Sequence, residues 1–123
     1  MAELRAEGDQ LVLHLTAAEH LEGAHGDIVV PMSSISTMRE SDDLWSELRG
    51  IRAPGTGIPG IIALGTRRGR FGKDFAAVHG KGPGVVIELR DQEFDRLVLS
   101  VADPEAVMAE LTGGPPSGRG RLR

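Results

Sequence analysis

At 123 residues and a net charge of −4, the chain has the size of one domain and lacks the basic surplus that normally marks a nucleic-acid binder. The absence of cysteine excludes a disulfide framework, a thiolate metal site and a cysteine nucleophile. One Trp, three Phe and no Tyr leave few rings for stacking bases, so nucleic acid is not an expected partner.

In chain order, the N-terminal residues Met1 to Gly8 contain no apolar run and read as no signal peptide. Nothing approaches the roughly 18 apolar residues of a membrane-spanning helix, and cytoplasmic residence is the expectation. Leu4 and Ala6 lead into Glu7-Gly8-Asp9-Gln10, a turn that makes residues 3–16 a hairpin. Leu11, Leu13 and Leu15 alternate with Val12, His14 and Thr16, the period of a half-buried strand. Residues 17–24 are helix-prone over two turns. Ile28, Val30 and Met32 alternate next, with Pro31 pushing that strand to an edge because it lacks an N–H for the ladder. Ser33-Ser34 breaks the register, and Ile35 to Arg39 reads as a further strand.

Residues 42–50 read as a second helix, with Asp42 and Asp43 at the positive end of its dipole and Gly50 as its stop. Four more strands follow at Ile61–Leu64, Phe75–Val78, Val85–Leu89 and Leu97–Val101, separated by Gly, Pro and Asp turns. Asp103, Pro104, the apolar face of Val107, Met108 and Leu111, and Gly113 mark the start, face and end of a third helix. One helix cannot bury that face alone, so it must pack on the sheet. Residues 1–112 are expected to form one domain and residues 113–123 a disordered Gly/Pro/Arg tail.

The chemical motifs do not survive a physical check. Gly55-Thr56-Gly57-Ile58-Pro59-Gly60 matches the dinucleotide fingerprint, but that fingerprint needs a strand before it and a helix N-terminus opening after it. Ala53-Pro54 precedes and a β-branched run follows, so the expected element is a glycine-rich loop entering a strand. Gly72-Lys73 is not a P-loop, because Arg67 stands where glycine is required and Asp74 where Ser or Thr is. His20 and His25 lie five residues apart, which turns their rings to different helix faces; no metal and no cofactor is expected. Ser33, Ser34 and Ser36 lack the elbow of a nucleophilic serine, and the chain is not expected to be an enzyme.

The basic stretch Arg67-Arg68-Gly69-Arg70-Phe71-Gly72-Lys73 reads as a hairpin tip with four cations around one ring. Arg67, Arg68, Arg70, Phe71 and Lys73 would suit an anionic membrane surface or ligand, by attraction and insertion. Four basic residues contribute about 4 kcal/mol near an anionic bilayer, which alone means roughly millimolar binding. Trp45 and Ile58 are the candidates for a protein interface, Trp45 as an anchor of its short helix.

The strand–proline–turn order Val30-Pro31-Met32-Ser33-Ser34-Ile35-Ser36-Thr37-Met38, and a last strand running straight into Val101-Ala102-Asp103-Pro104-Glu105-Ala106-Val107, resemble the bacterial pleckstrin-homology-like (PH-like) domains over residues 3–112. The resemblance implies a mainly β, strongly bent, partly open barrel of about seven or eight short strands with one C-terminal helix at its end. It also implies a non-enzymatic interaction module, in some members an oligomer. Lipid-binding members of the wider superfamily carry basic residues in the first hairpin turn, where this chain has Glu7-Gly8-Asp9-Gln10. The resulting expectation is protein–protein binding or self-association, with an anionic membrane or ligand as the alternative. A small enzyme whose residues meet only in space is the third reading.

Overall fold

The computed structural model describes residues 3–19 and 26–112, with residues 52–56 as backbone only. The chain is mainly β and forms two sheets. The first is three-stranded and antiparallel, β1 (Glu3–Glu7), β2 (Gln10–His14) and β3 (Ile28–Pro31), in that order. The second holds β4 (Ile35–Ser41), β5 (Ile51–Ile58), β6 (Ile62–Gly69), β7 (Gly72–His79), β8 (Gly84–Leu89) and β9 (Arg96–Ser100). Its order is β4-β8-β9-β7-β6-β5, and only β7 and β9 run parallel. A helix, Pro104–Leu111, closes the fold.

The expected first hairpin forms about Gly8, whose φ of 65° suits a residue without a Cβ. Pro31 ends the edge strand β3, and Ser33-Ser34 falls within a single 3₁₀ turn, Met32–Ser34. The half-buried pattern expected for β2 is more buried than alternation implies. Leu11, Val12 and Leu13 are all covered, because β2 is central and Val12 lies between Arg5 and Val29 in register.

In β7, β8 and β9 the apolar run is continuous, as expected of strands buried on both faces. Phe75, Ala77, Val85, Ile87, Leu97 and Leu99 pack inward against Leu11, Leu13, Ile28 and Val30 of the small sheet. On the opposite face Ala63, Ala76, Val78, Val86 and Val98 are covered by Leu44, Trp45 and Leu48. Residues 42–50 are therefore a strap over the outer face of the large sheet.

That strap is not the helix expected there. Only Leu44–Glu47 is helical, as a 3₁₀ turn, because Leu44, Trp45 and Leu48 must all meet the same flat surface. On an α-helix, residues 44 and 45 are about 100° apart and could not both do so. Gly50 then turns the chain with φ of 79°, where a Cβ would collide with the Arg68 carbonyl and the Phe71 ring.

The glycine-rich stretch 53–60 also differs from expectation. Most of it is β5, an edge strand paired to β6 with a register shift between Arg52 and Gly55, which brings the strand total among the described residues to nine. The closing helix forms as expected, with Asp103 Oδ1 accepting from the Ala106 N–H at 3.1 Å and Leu111 buried. It packs against β1 and β4, one outer strand of each sheet, and Glu110 accepts from the Ala6 N–H at 3.0 Å. Residues 17–19 are helical. The rest of the expected helix over 17–24, with His20 and His25, the stop at Gly113 and the tail 113–123 lie outside the described residues.

Candidate interaction surface

The basic hairpin forms as expected, with β6 and β7 joined at Arg70-Phe71. Its side chains face several ways. Arg67 Nε donates to the Arg49 carbonyl at 3.0 Å and its Nη2 to the Gly50 carbonyl at 3.1 Å, so this guanidinium braces the strap. Phe71 folds back into the notch left by Gly50 and Gly69, with the Arg49 guanidinium 4.0 Å above its ring. Lys73 Nζ pairs with Glu93 at 3.1 Å. Arg68 and Arg70 are exposed.

Beneath the strap lies a row of charges that the strand order assembles. Thr37, Glu88, Arg96, Asp74 and Arg67 are successive register partners on β4, β8, β9, β7 and β6. Opposite charges directly across neighbouring strands attract. Glu88 accepts from Arg96 at 2.7 Å and from Thr37 at 2.9 Å, which together hold its carboxyl below the usual range. Asp74 is buried and held by Arg49 in a bidentate pair at 2.6 and 3.1 Å. Arg39 forks onto Glu47 at 2.8 and 2.7 Å and lowers that carboxyl too. Within the row Glu88 bonds Thr37 and Arg96, while Asp74 and Arg67 bond the strap at Arg49 and Gly50, so the row locks the strap to the sheet.

Two histidines bind parts of the small sheet and its connection. His14 bridges Glu7 at 2.7 Å and Asp27 at 3.3 Å. His79, at the end of β7, meets the buried Glu19 at 2.7 Å, while Thr16 and Glu19 exchange reciprocal bonds of 3.1 and 2.8 Å in the manner of a capping box. Among the described residues no three His, Asp or Glu are grouped to hold a metal ion.

A different character appears where the strap meets the β5–β6 turn. Ile58 is 51% and Ile61 is 61% exposed. Their backbones are tied to the indole by a relay: Ile61 N–H to the Ile58 carbonyl at 2.9 Å, Gly80 N–H to the Ile61 carbonyl at 2.6 Å, and Trp45 Nε1 to the Gly80 carbonyl at 2.9 Å. Concave spaces flank Trp45. One of about 400 Å³ is lined by Asp42, Asp43, Leu44, Gly60, Lys81 and Gly82 as well as the indole. The other, about 310 Å³, runs from Trp45 and Leu48 to Ile58, Pro59, Ala63 and Arg67.

Trp45 and Ile58, singled out from the sequence, thus lie at one corner, with Arg67 bordering its hollow, whereas the tip of the cationic hairpin, with Arg68, Arg70, Phe71 and Lys73, lies at the far end of β6. Ile61 and Leu48 belong to the same corner and were not legible as such. The sequence places Ile61 as the first residue of a strand, whereas it ends the three-residue turn after Ile58 and is exposed there. No family model, no curated protein and no solved structure matches this chain.

Proposed function

We propose that this chain is a non-enzymatic binding module that docks a protein, either a different chain or a copy of itself, on the corner formed by Trp45, Ile58 and Ile61. The observation that carries this reading is two large, exposed isoleucines fixed by hydrogen bonds beside a half-buried tryptophan and open hollows. Isolated exposed apolar residues need no explanation, but a cluster beside concave surface marks an interaction site. Rigid aromatic and aliphatic anchors lose little entropy on binding, which favours them as centres of an interface.

Side-chain docking fits better than strand addition. The closing helix packs against β1 and β4. The remaining edge of the large sheet, β5, carries Pro54 and a register shift, both of which blunt an edge against a new strand. The hairpin reading has less to support it: Phe71 is packed under Arg49, and Arg67 and Lys73 are engaged within the fold. Among the described residues no helix is long and apolar enough to cross a membrane, and we place the module in the cytoplasm. The PH-like resemblance is part of the same proposal, supported by the last strand leading directly into the closing helix.

The test is quantitative co-purification from cells that naturally make the chain, comparing it with an Ile58→Asp/Ile61→Asp variant. A protein partner recovered with the native chain and lost from the variant, at an unchanged thermal midpoint, is the expected result. Equal recovery by both would remove this corner from the function.

A further inference from the structure

We infer that the segment Arg119-Gly120-Arg121-Leu122-Arg123 of this chain seats in the groove between the closing helix and β1. This goes beyond the corner at Trp45 and does not depend on it. The groove, about 390 Å³, has Val101, Ala106 and Val107 in its apolar lining and Glu3, Asp103 and Glu110 as its charged one. All three carboxylates belong to exposed residues, and no basic residue lines the space. Each uses one oxygen within the fold. Glu3 Oε1 accepts from Arg5 Nε at 3.3 Å, Asp103 Oδ1 from the Ala106 N–H at 3.1 Å, and Glu110 Oε2 from the Ala6 N–H at 3.0 Å. Among the described residues the second oxygen of each accepts no hydrogen bond. The groove thus offers three anionic acceptors around an apolar lining.

The occupant follows from charge, pattern and reach. Guanidinium donors match carboxylate acceptors in both charge and geometry. Residues 113–123, which lie outside the described ones, hold three arginines and no acidic residue. In an extended chain Arg119, Arg121 and Arg123 fall on one side and Leu122 on the other. The segment can therefore set its cations along the rim while Leu122 enters between Val101 and Val107. The lengths agree. From Asp103 to Glu110 the helix rises about 10 Å, and from Arg119 to Arg123 an extended chain covers about 13 Å. The helix ends next to Glu110, at Leu111. Gly113 to Gly118 can span up to about 20 Å, with Gly114-Pro115 as a turn signal, which is enough to lead the segment back along the groove. A tether this short supplies an effective concentration of about a millimolar. Exposed ion pairs too weak to capture a free peptide suffice under that condition.

Backbone order parameters of the full chain, measured by amide-nitrogen relaxation, test this. Arg121 and Leu122 are expected to lie above about 0.6, the limit of a flexible backbone, and to fall below it in Arg119→Glu/Arg121→Glu/Arg123→Glu. Glu3→Gln/Asp103→Asn is expected to release the segment in the same way, since it removes two carboxylates while Asn keeps the helix cap. The tail variant alters nothing in the groove itself. It is expected to shift the amide signals of Ala106 and Val107 and to leave those of Ile58 and Ile61 in place. Order parameters below about 0.6 in the native chain overturn the inference. So does a value that either variant leaves unchanged, or a set of shifts confined to residues away from the groove. Order that disappears on dilution to micromolar concentration assigns the groove to the segment of another copy, and it too overturns the contact within one chain. None of these outcomes bears on the corner at Trp45, which the Ile58→Asp/Ile61→Asp comparison tests separately.

Discussion

Glu47 and Glu88 join the strap and β8 to the arginines of the charged row. Arg39, through a forked pair of hydrogen bonds, holds the Glu47 carboxyl below its ordinary 4.5, and Arg96 with Thr37 does the same for Glu88. Glu19 is also lowered: burial works against its charge, but the Thr16 N–H and His79 outweigh it. A carboxyl whose folded value lies below its unfolded one stabilises the fold fully above the unfolded value. That contribution disappears as pH falls through the folded value. His14 has the opposite sign. Its pKa is raised, chiefly by the hydrogen bond to Glu7, so its contribution is full below 6.5 and lost as pH rises through the raised value. Thermal unfolding followed across pH is therefore expected to show a loss of midpoint below about pH 4.5. Arg39→Ala should shrink the part of that loss due to Glu47; an acid limb identical in the variant would contradict the assignment. None of these pairs was legible from the sequence, because their members are up to 60 residues apart and meet only through the fold.

The elements that could be read ahead are those whose residues obey one local rule. The closing helix is the clearest: Asp103, Pro104 and the spacing of Val107, Met108 and Leu111 each act within the helix itself. The runs of β7 to β9 were legible because continuous apolar sequence has few uses besides a strand buried on both faces. Two elements were hidden by tertiary demands. In the strap, burial of three neighbouring side chains on one flat face replaced a helix with a 3₁₀ turn. In β5, glycine and proline argued for a loop, yet an edge strand paired on one side tolerates both. The helix provides an element-level prediction. Leu111 is buried in the main core, so Leu111→Ala should destabilise the domain by about 2–5 kcal/mol in a denaturant titration. A change below about 0.5 kcal/mol, the usual range of a surface substitution, would mean that the helix is not part of the cooperative core.

At the scale of the molecule, a large sheet is covered on both faces, by the small sheet within and by the strap without. The helix packs on an outer strand of each sheet. The fold class was legible because it is a sum of many local patterns. The proposed docking corner was legible only in part, since Trp45 and Ile58 are notable as residue types while Ile61 and Leu48 join them through the path of the β5–β6 turn. That turn is held to Trp45 through Gly80, so strap and turn form one rigid surface.

The most direct measurement is site-specific photo-cross-linking, with a photoreactive residue at Ile58 and, as a control, at the exposed Glu105 on the closing helix. Docking at the corner predicts an adduct with a partner chain from position 58 and little or none from position 105. Equal yields from the two positions, or adducts from position 105 alone, would contradict it.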